Sequence, residues 1–64
     1  MNVTIEGMHC NACVERVRKA IVKVEGARVD SVEIGRAVVS VDPQREEAVL
    51  DAVRKAGYEP RKSE

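Results

Sequence analysis

The stretch ARVDSVEIGRAVVSV, residues 27–41, decides the fold of this chain. Val32 and Ile34 alternate with polar residues, and Ala37, Val39 and Val41 do the same further on. A period of two marks a strand with one face buried. The glycine between the two runs marks a tight turn. The stretch therefore reads as two antiparallel strands joined at Gly35-Arg36, with glycine at the first central position of a two-residue hairpin. Such a hairpin, set in the middle of a short chain, leaves one strand and one helix to be placed on either side.

Upstream, NVTIE (2–6) alternates with Val3 and Ile5 on one face, a further strand that Gly7 breaks. NACVERVRKAIVKV (11–24) carries Cys13, Val14, Val17, Ala20, Ile21 and Val24 at helical spacing, with charged residues on the other face. Asn11 is the expected N-cap and Gly26 the stop. Downstream, DPQREEAVLDAVRKAG (42–57) has Asp42 as cap, Pro43 at the first helical position, and an apolar stripe of Val49, Ala52, Val53 and Ala56. Gly57 falls just past its end. YEP (58–60) reads as a short last strand, with Pro60 at an edge or strand end. RKSE (61–64) is expected to fray. The order β-α-β-β-α-β predicts an α+β, ferredoxin-like fold: a four-stranded antiparallel sheet with two helices on one face. Residues 1–64 form one domain without a linker.

Composition narrows the function. A domain of 64 residues buries only about 60% of its unfolded surface, so it builds a modest core and no large substrate cleft. Eleven basic residues balance eleven acidic ones, which leaves no net charge to attract nucleic acid or an anionic membrane. Tyr58 is the only aromatic residue, which argues against base stacking. No apolar run approaches the ~18 residues of a membrane span, and the N-terminus has no signal-peptide pattern. A cytoplasmic protein, monomeric when metal-free, is expected. In a reducing compartment, two cysteines this close in sequence are more often metal-binding or catalytic than structural.

Those cysteines lie in GMHCNAC, residues 7–13, with the single histidine and one of the two methionines. Cys10 falls in the loop after the first strand and Cys13 in the first helical turn. A helix N-terminus offers unpaired N–H groups and a partial positive charge, which favour thiolate over thiol, most of all at Cys13. Cys10, further out, is expected to meet an incoming donor or acceptor first. The two-residue gap lets both sulfurs point at one centre. Structural zinc takes four ligands, and two cysteines with one histidine cannot close such a site. The residues flanking Cys10, His9 and Asn11, are not acidic. Cu(I) is soft, selects thiolate and is satisfied by two ligands, so it can leave by ligand exchange. Hg(II) shares that taste.

GMHCNAC also resembles the G-M-x-C-x-x-C signature of the heavy-metal-associated domain, a family that includes bacterial copper chaperones and the N-terminal domains of copper-transporting P-type ATPases. The likeness extends over nearly the whole chain, through the valine-rich hairpin and the capped second helix to AGY at 56–58. It implies that Cys10 and Cys13 bind the metal, that Met8 packs under the loop and that Tyr58 sits beside the site. Zinc-exporting relatives often carry an acidic residue before the first cysteine. His9 stands there instead, which favours copper over the alternatives Hg(II) and Zn(II).

For the remaining residues two readings stand side by side. Met8 is a soft thioether, but a core plug holding the loop down is the better reading. Gly7 serves backbone freedom. His9 is an exposed loop residue, a modulator through protons or a metal-bridged dimer, or a ligand. Tyr58 either only caps the small core or, as the better reading, lies near the metal loop, screening the site and offering its hydroxyl to a sulfur. The basic residues Arg16, Arg18 and Lys19 are most simply solvated, with docking to an acidic partner domain of the same fold as the other reading. The expected function is a Cu(I) carrier that hands its ion to a metal-transporting P-type ATPase or another CxxC domain, and not an enzyme. A small thiol oxidoreductase is the alternative of a different class. That class usually places a proline inside the motif and an aromatic before it, and neither is present here.

Overall fold

A computed structural model of the chain describes residues 1–63. The elements run β1 (Asn2–Glu6), α1 (Asn11–Val22), β2 (Arg28–Glu33), β3 (Arg36–Ser40), a 3-10 turn (Pro43–Arg45), α2 (Glu46–Lys55) and β4 (Glu59–Lys62). The four strands form one antiparallel sheet in the order β2-β3-β1-β4. Both helices cover the face that carries Val3, Ile5, Ala37 and Val39, as the ferredoxin-like reading expects.

The core follows from the two periodicities. Val3 and Ile5 of β1 meet Ala37 and Val39 of β3 from below, and Val17 and Ile21 of α1 with Val49, Leu50 and Val53 of α2 close it from above. Leu50 joins the α2 stripe beside Val49 and Val53, where the sequence pattern had placed only valines and alanines. No polar side chain is buried among the described residues. No helix among them is long and apolar enough to cross a membrane.

Four details differ from the sequence reading. The hairpin turn is Ile34-Gly35, one residue earlier than expected, because Glu33 pairs with Arg36 and closes the ladder there. Gly35 takes the second central position, with φ +85, a conformation that suits glycine. Ile34 is thereby moved out of its strand face and stands 53% exposed at the tip. Strand β2 also carries a bulge at Asp30: Val29 pairs with Val39 but Ser31 pairs with Val38. The extra residue is what turns both Val29 and Val32, three apart in sequence, toward the core.

Helix α1 ends at Val22, with Lys23 as its C-cap, and only a turn leads on to Gly26. The chain end is the fourth difference. Arg61 and Lys62 are not frayed but pair with Thr4 and Val3, and the Ser63 N–H donates to the Asn2 carbonyl at 2.9 Å. Strand pairing is made by backbone groups, and charged side chains suit an edge strand; the sequence pattern, read through apolar alternation, does not register it. Glu64 lies outside the described residues.

Helix α2 ends as its glycine indicates. The Tyr58 N–H bonds to the Val53 carbonyl and the Gly57 N–H to the Arg54 carbonyl, with φ +102 at Gly57. This paired arrangement is the Schellman cap, and it sets where Tyr58 leaves the helix. At the other end, Asp42 caps the 3-10 turn by position, with Pro43 following, but its side chain makes no capping bond. The α-helix proper starts three residues later.

Candidate metal centre

Three segments meet at one end of the domain: the loop after β1, the tip of the β2–β3 hairpin and the turn from α2 into β4. The loop is anchored from below. Met8 is buried in the core and its Sδ accepts the Gly35 N–H at 3.4 Å. Ile5, two residues before Gly7, donates its N–H to the Gly35 carbonyl at 2.9 Å. Gly7 has φ +99, and a Cβ built there would touch the Tyr58 ring at 3.5 Å. Backbone conformation, more than space, therefore requires glycine at this position.

On this support the chain turns into α1. Cys10, not Asn11, occupies the N-cap, in an extended conformation, and Asn11 is already helical. The Cys10 carbonyl accepts the Cys13 N–H at 3.0 Å and the Val14 N–H at 3.3 Å. No side chain caps this end, so the first helical N–H groups are left to whatever anion sits above them. Cys10 is exposed and Cys13 half-buried, both as free thiols. Their Sγ atoms are 3.7 Å apart, in contact but not bonded.

The electrostatics centre on Cys13. Its thiol is brought down to about 7. The largest cause is the backbone N–H of His9, followed by the Tyr58 hydroxyl; partial desolvation opposes them, and Cys10 adds smaller favourable contacts. The loop's own amide therefore leads in stabilising the thiolate, where the sequence had pointed to the helix end. Tyr58, buried beside the site, is pushed up in turn, chiefly by its bond to Cys13 and by desolvation, with Arg16 pulling the other way. An expected result follows. In a Cys10→Ser protein, where Cys13 is the sole thiol, the iodoacetamide rate plotted against pH should have its midpoint near 7. A midpoint at the ordinary cysteine value of about 8.5 would mean that these contacts do not hold in solution.

The two sulfurs, Tyr58, Gly7 and Met8 are thus brought together, with Met8 facing the core. His9 is exposed, and its contribution to Cys13 comes from its backbone. Among the described residues, no group of three or more His, Cys, Asp and Glu side chains could hold a metal. What this end of the molecule offers an ion is two cysteine sulfurs, one exposed and one half-buried, side by side. Two contributors were not legible as such in the sequence. Gly35 reaches Met8 from 27 residues away, and Arg16 of α1 acts on the Tyr58 hydroxyl electrostatically. Neither position carries a local signal, because the ladder and the α2 cap create the proximity.

Comparison with known proteins shows the family. The family model of the heavy-metal-associated domain matches residues 2–59, and the chain belongs to that family. It is 48% identical over 63 residues to the copper-transporting ATPase 2 of Rhizobium meliloti, covering 94% of this chain but 8% of the ATPase. It is 31% identical to the COP-associated protein of Helicobacter felis, covering 92% of this chain and 94% of that protein. The chain thus spans less than a tenth of the ATPases it matches and nearly all of a small relative. Among solved structures, the N-terminal domain of PacS from Synechocystis PCC6803 superposes with a TM-score of 0.85 at 35% identity, covering 98% of this chain and 94% of that one. The N-terminal domain of ZntA in its Zn(II) form superposes at 0.79 with 31% identity, covering 94% and 85%.

Proposed function

We propose that this domain binds one Cu(I) between Cys10 and Cys13 and passes it to a thiolate site on a partner. The observation that carries the reading is the pair of sulfurs 3.7 Å apart at an uncapped, exposed helix end. Relatives named as copper-transporting ATPases and a copper chaperone support copper as the ion. The lowered Cys13 thiol reduces the proton work of binding at that sulfur. Cys10, the more exposed sulfur, is the one an acceptor thiolate reaches first. Ligand exchange then proceeds one bond at a time, with the ion held by sulfur throughout.

The reading makes the domain a carrier rather than an enzyme, working in the cytoplasm, where reducing conditions keep the pair as thiols. A metal-transporting P-type ATPase or another CxxC domain is the natural recipient. Anaerobic titration with Cu(I) against a colorimetric chelator tests it. Saturation at one ion per chain, with both thiols lost to thiol reagents, is expected. Tighter retention of Hg(II) or Zn(II) in competition would reassign the ion, and metal-free turnover of a disulfide substrate would make the domain an oxidoreductase.

His9 enters the same titration. Its side chain is exposed, and two thiolates already satisfy Cu(I). His9→Ala should keep the stoichiometry and weaken affinity by less than about tenfold, roughly 1.4 kcal/mol. A loss of several orders of magnitude would make the imidazole a ligand.

A further inference from the structure

The two helices leave a groove between them on the outer surface, with a volume of about 730 Å³. It starts one turn from Cys13, at Arg16 and Lys55, and runs toward the opposite pole, where Lys23 and Ala48 face each other. Its apolar lining is mostly small: Ala20 from α1, Ala48, Ala52 and Ala56 from α2, and Val24 at the far end. Its rim is basic. Arg16, Lys19 and Lys23 stand on one side and Lys55 on the other. The single acid of the lining, Asp51, already accepts Arg54 at 2.8 Å. None of the ion pairs of the described residues includes Lys19, Lys23 or Lys55.

The chain as a whole is neutral, so this concentration of positive charge is local. Like charges facing each other across a seam repel, and an anionic occupant removes the cost. The floor decides what kind of occupant fits. Alanines at 48, 52 and 56 leave room along α2 for a third helix to approach closely, as ridges do in grooves. A shallow open seam does not enclose a small molecule in the way that ligand pockets do. The groove has no aromatic wall.

We propose that this seam docks an amphipathic helix with small apolar residues on one face and Asp or Glu on its flanks, a helix-in-groove contact. The contact lies beside the cysteines rather than over them, so it holds the domain by its flank while Cys10 stays accessible. It needs no metal. It is therefore a tether, separate from the docking in which metal changes hands.

The test uses metal-free domain with both cysteines intact. The probe is a synthetic amidated helix of about 18 residues, close to 27 Å long, with Ala and Leu on one face and Glu on the flanks; the domain's longest extent is 29 Å. Amide shifts on titration should concentrate at Lys19, Ala20, Lys23, Ala48, Ala52 and Lys55, and leave Cys10 alkylation unchanged. Lys19→Glu/Lys23→Glu/Lys55→Glu should weaken binding by roughly tenfold or more, with the far-UV spectrum and Cu(I) stoichiometry retained, and raised salt should weaken it in the same direction. Absence of shifts, or shifts centred on residues 7–13, would overturn the proposal. So would flotation of the domain with phosphatidylglycerol vesicles without binding to the peptide, which would make the seam a lipid surface. None of these outcomes bears on copper binding itself.

Discussion

Cys10→Ser and Cys13→Ser are each expected to abolish tight Cu(I) binding while leaving the fold intact. A serine hydroxyl is a hard, protonated, poor ligand for a soft ion. With one sulfur gone, nothing nearby replaces it, since no cluster of three metal-capable side chains exists among the described residues. Met8 cannot swing in at small cost. Its thioether is buried in the core and accepts the Gly35 N–H. Cys10 is exposed, and Cys13 is half-buried at the edge of the core, where serine is close to cysteine in size, so both variants should keep the fold. The measurement is competition with a Cu(I) chelator on each variant, alongside its thermal melt. Retention of wild-type affinity by either variant would mean that the ion is held elsewhere.

Ile21→Ala is expected to be the most damaging of the simple core truncations, and it acts on the metal-free protein. Ile21 is fully buried and is the largest of the completely enclosed side chains. Truncations of this kind cost about 2–5 kcal/mol. A domain of this size has roughly 3–10 kcal/mol in total. The melting temperature should therefore fall by more than about 10 °C. Behind this lies a second expectation: the wild-type domain melts cooperatively without metal, because its core is apolar and contains no ligand. That separates it from zinc fingers, whose folding depends on the ion. A random-coil spectrum for the metal-free wild type, or an Ile21→Ala melt within about 2 °C of it, would contradict this view of the core.

How far the sequence led can be judged element by element. Strand β1 and helix α2 were legible because each repeats its apolar residues at its own period, and Gly57 marked the Schellman cap. The β-α-β-β-α-β order followed from them. The bulge at Asp30 was hidden, because an extra residue makes a strand look irregular until its partner is known. The one-residue shift of the hairpin, which exposes Ile34, arose for a similar reason: the turn is placed by the Glu33–Arg36 pair and not by glycine alone. Strand β4 continued to Lys62 because backbone pairing asks nothing of side-chain polarity.

At the site, the motif was readable as chemistry before any geometry was known. Two thiols three positions apart at a helix start, with too few further ligands to close a zinc site, point to an open, soft centre. What the motif did not carry was its support. The Gly35 contact to Met8 and the influence of Arg16 on Tyr58 depend on segments brought together by the fold, and the His9 amide on Cys13 depends on the conformation the loop takes on that support. The N-cap was misplaced by one residue for a related reason. Asparagine is the better capping side chain in isolation, yet the loop held down by Met8 delivers Cys10 to that position and starts the helix at Asn11.

The most direct test of the central claim is X-ray absorption at the copper edge of the domain loaded anaerobically with Cu(I), one ion per chain. The account predicts a first shell of two sulfur atoms, with no nitrogen or oxygen, in the wild type and in His9→Ala alike. A shell containing nitrogen that disappears in His9→Ala, or a shell of four sulfurs shared between two chains, would contradict a centre built from Cys10 and Cys13 alone.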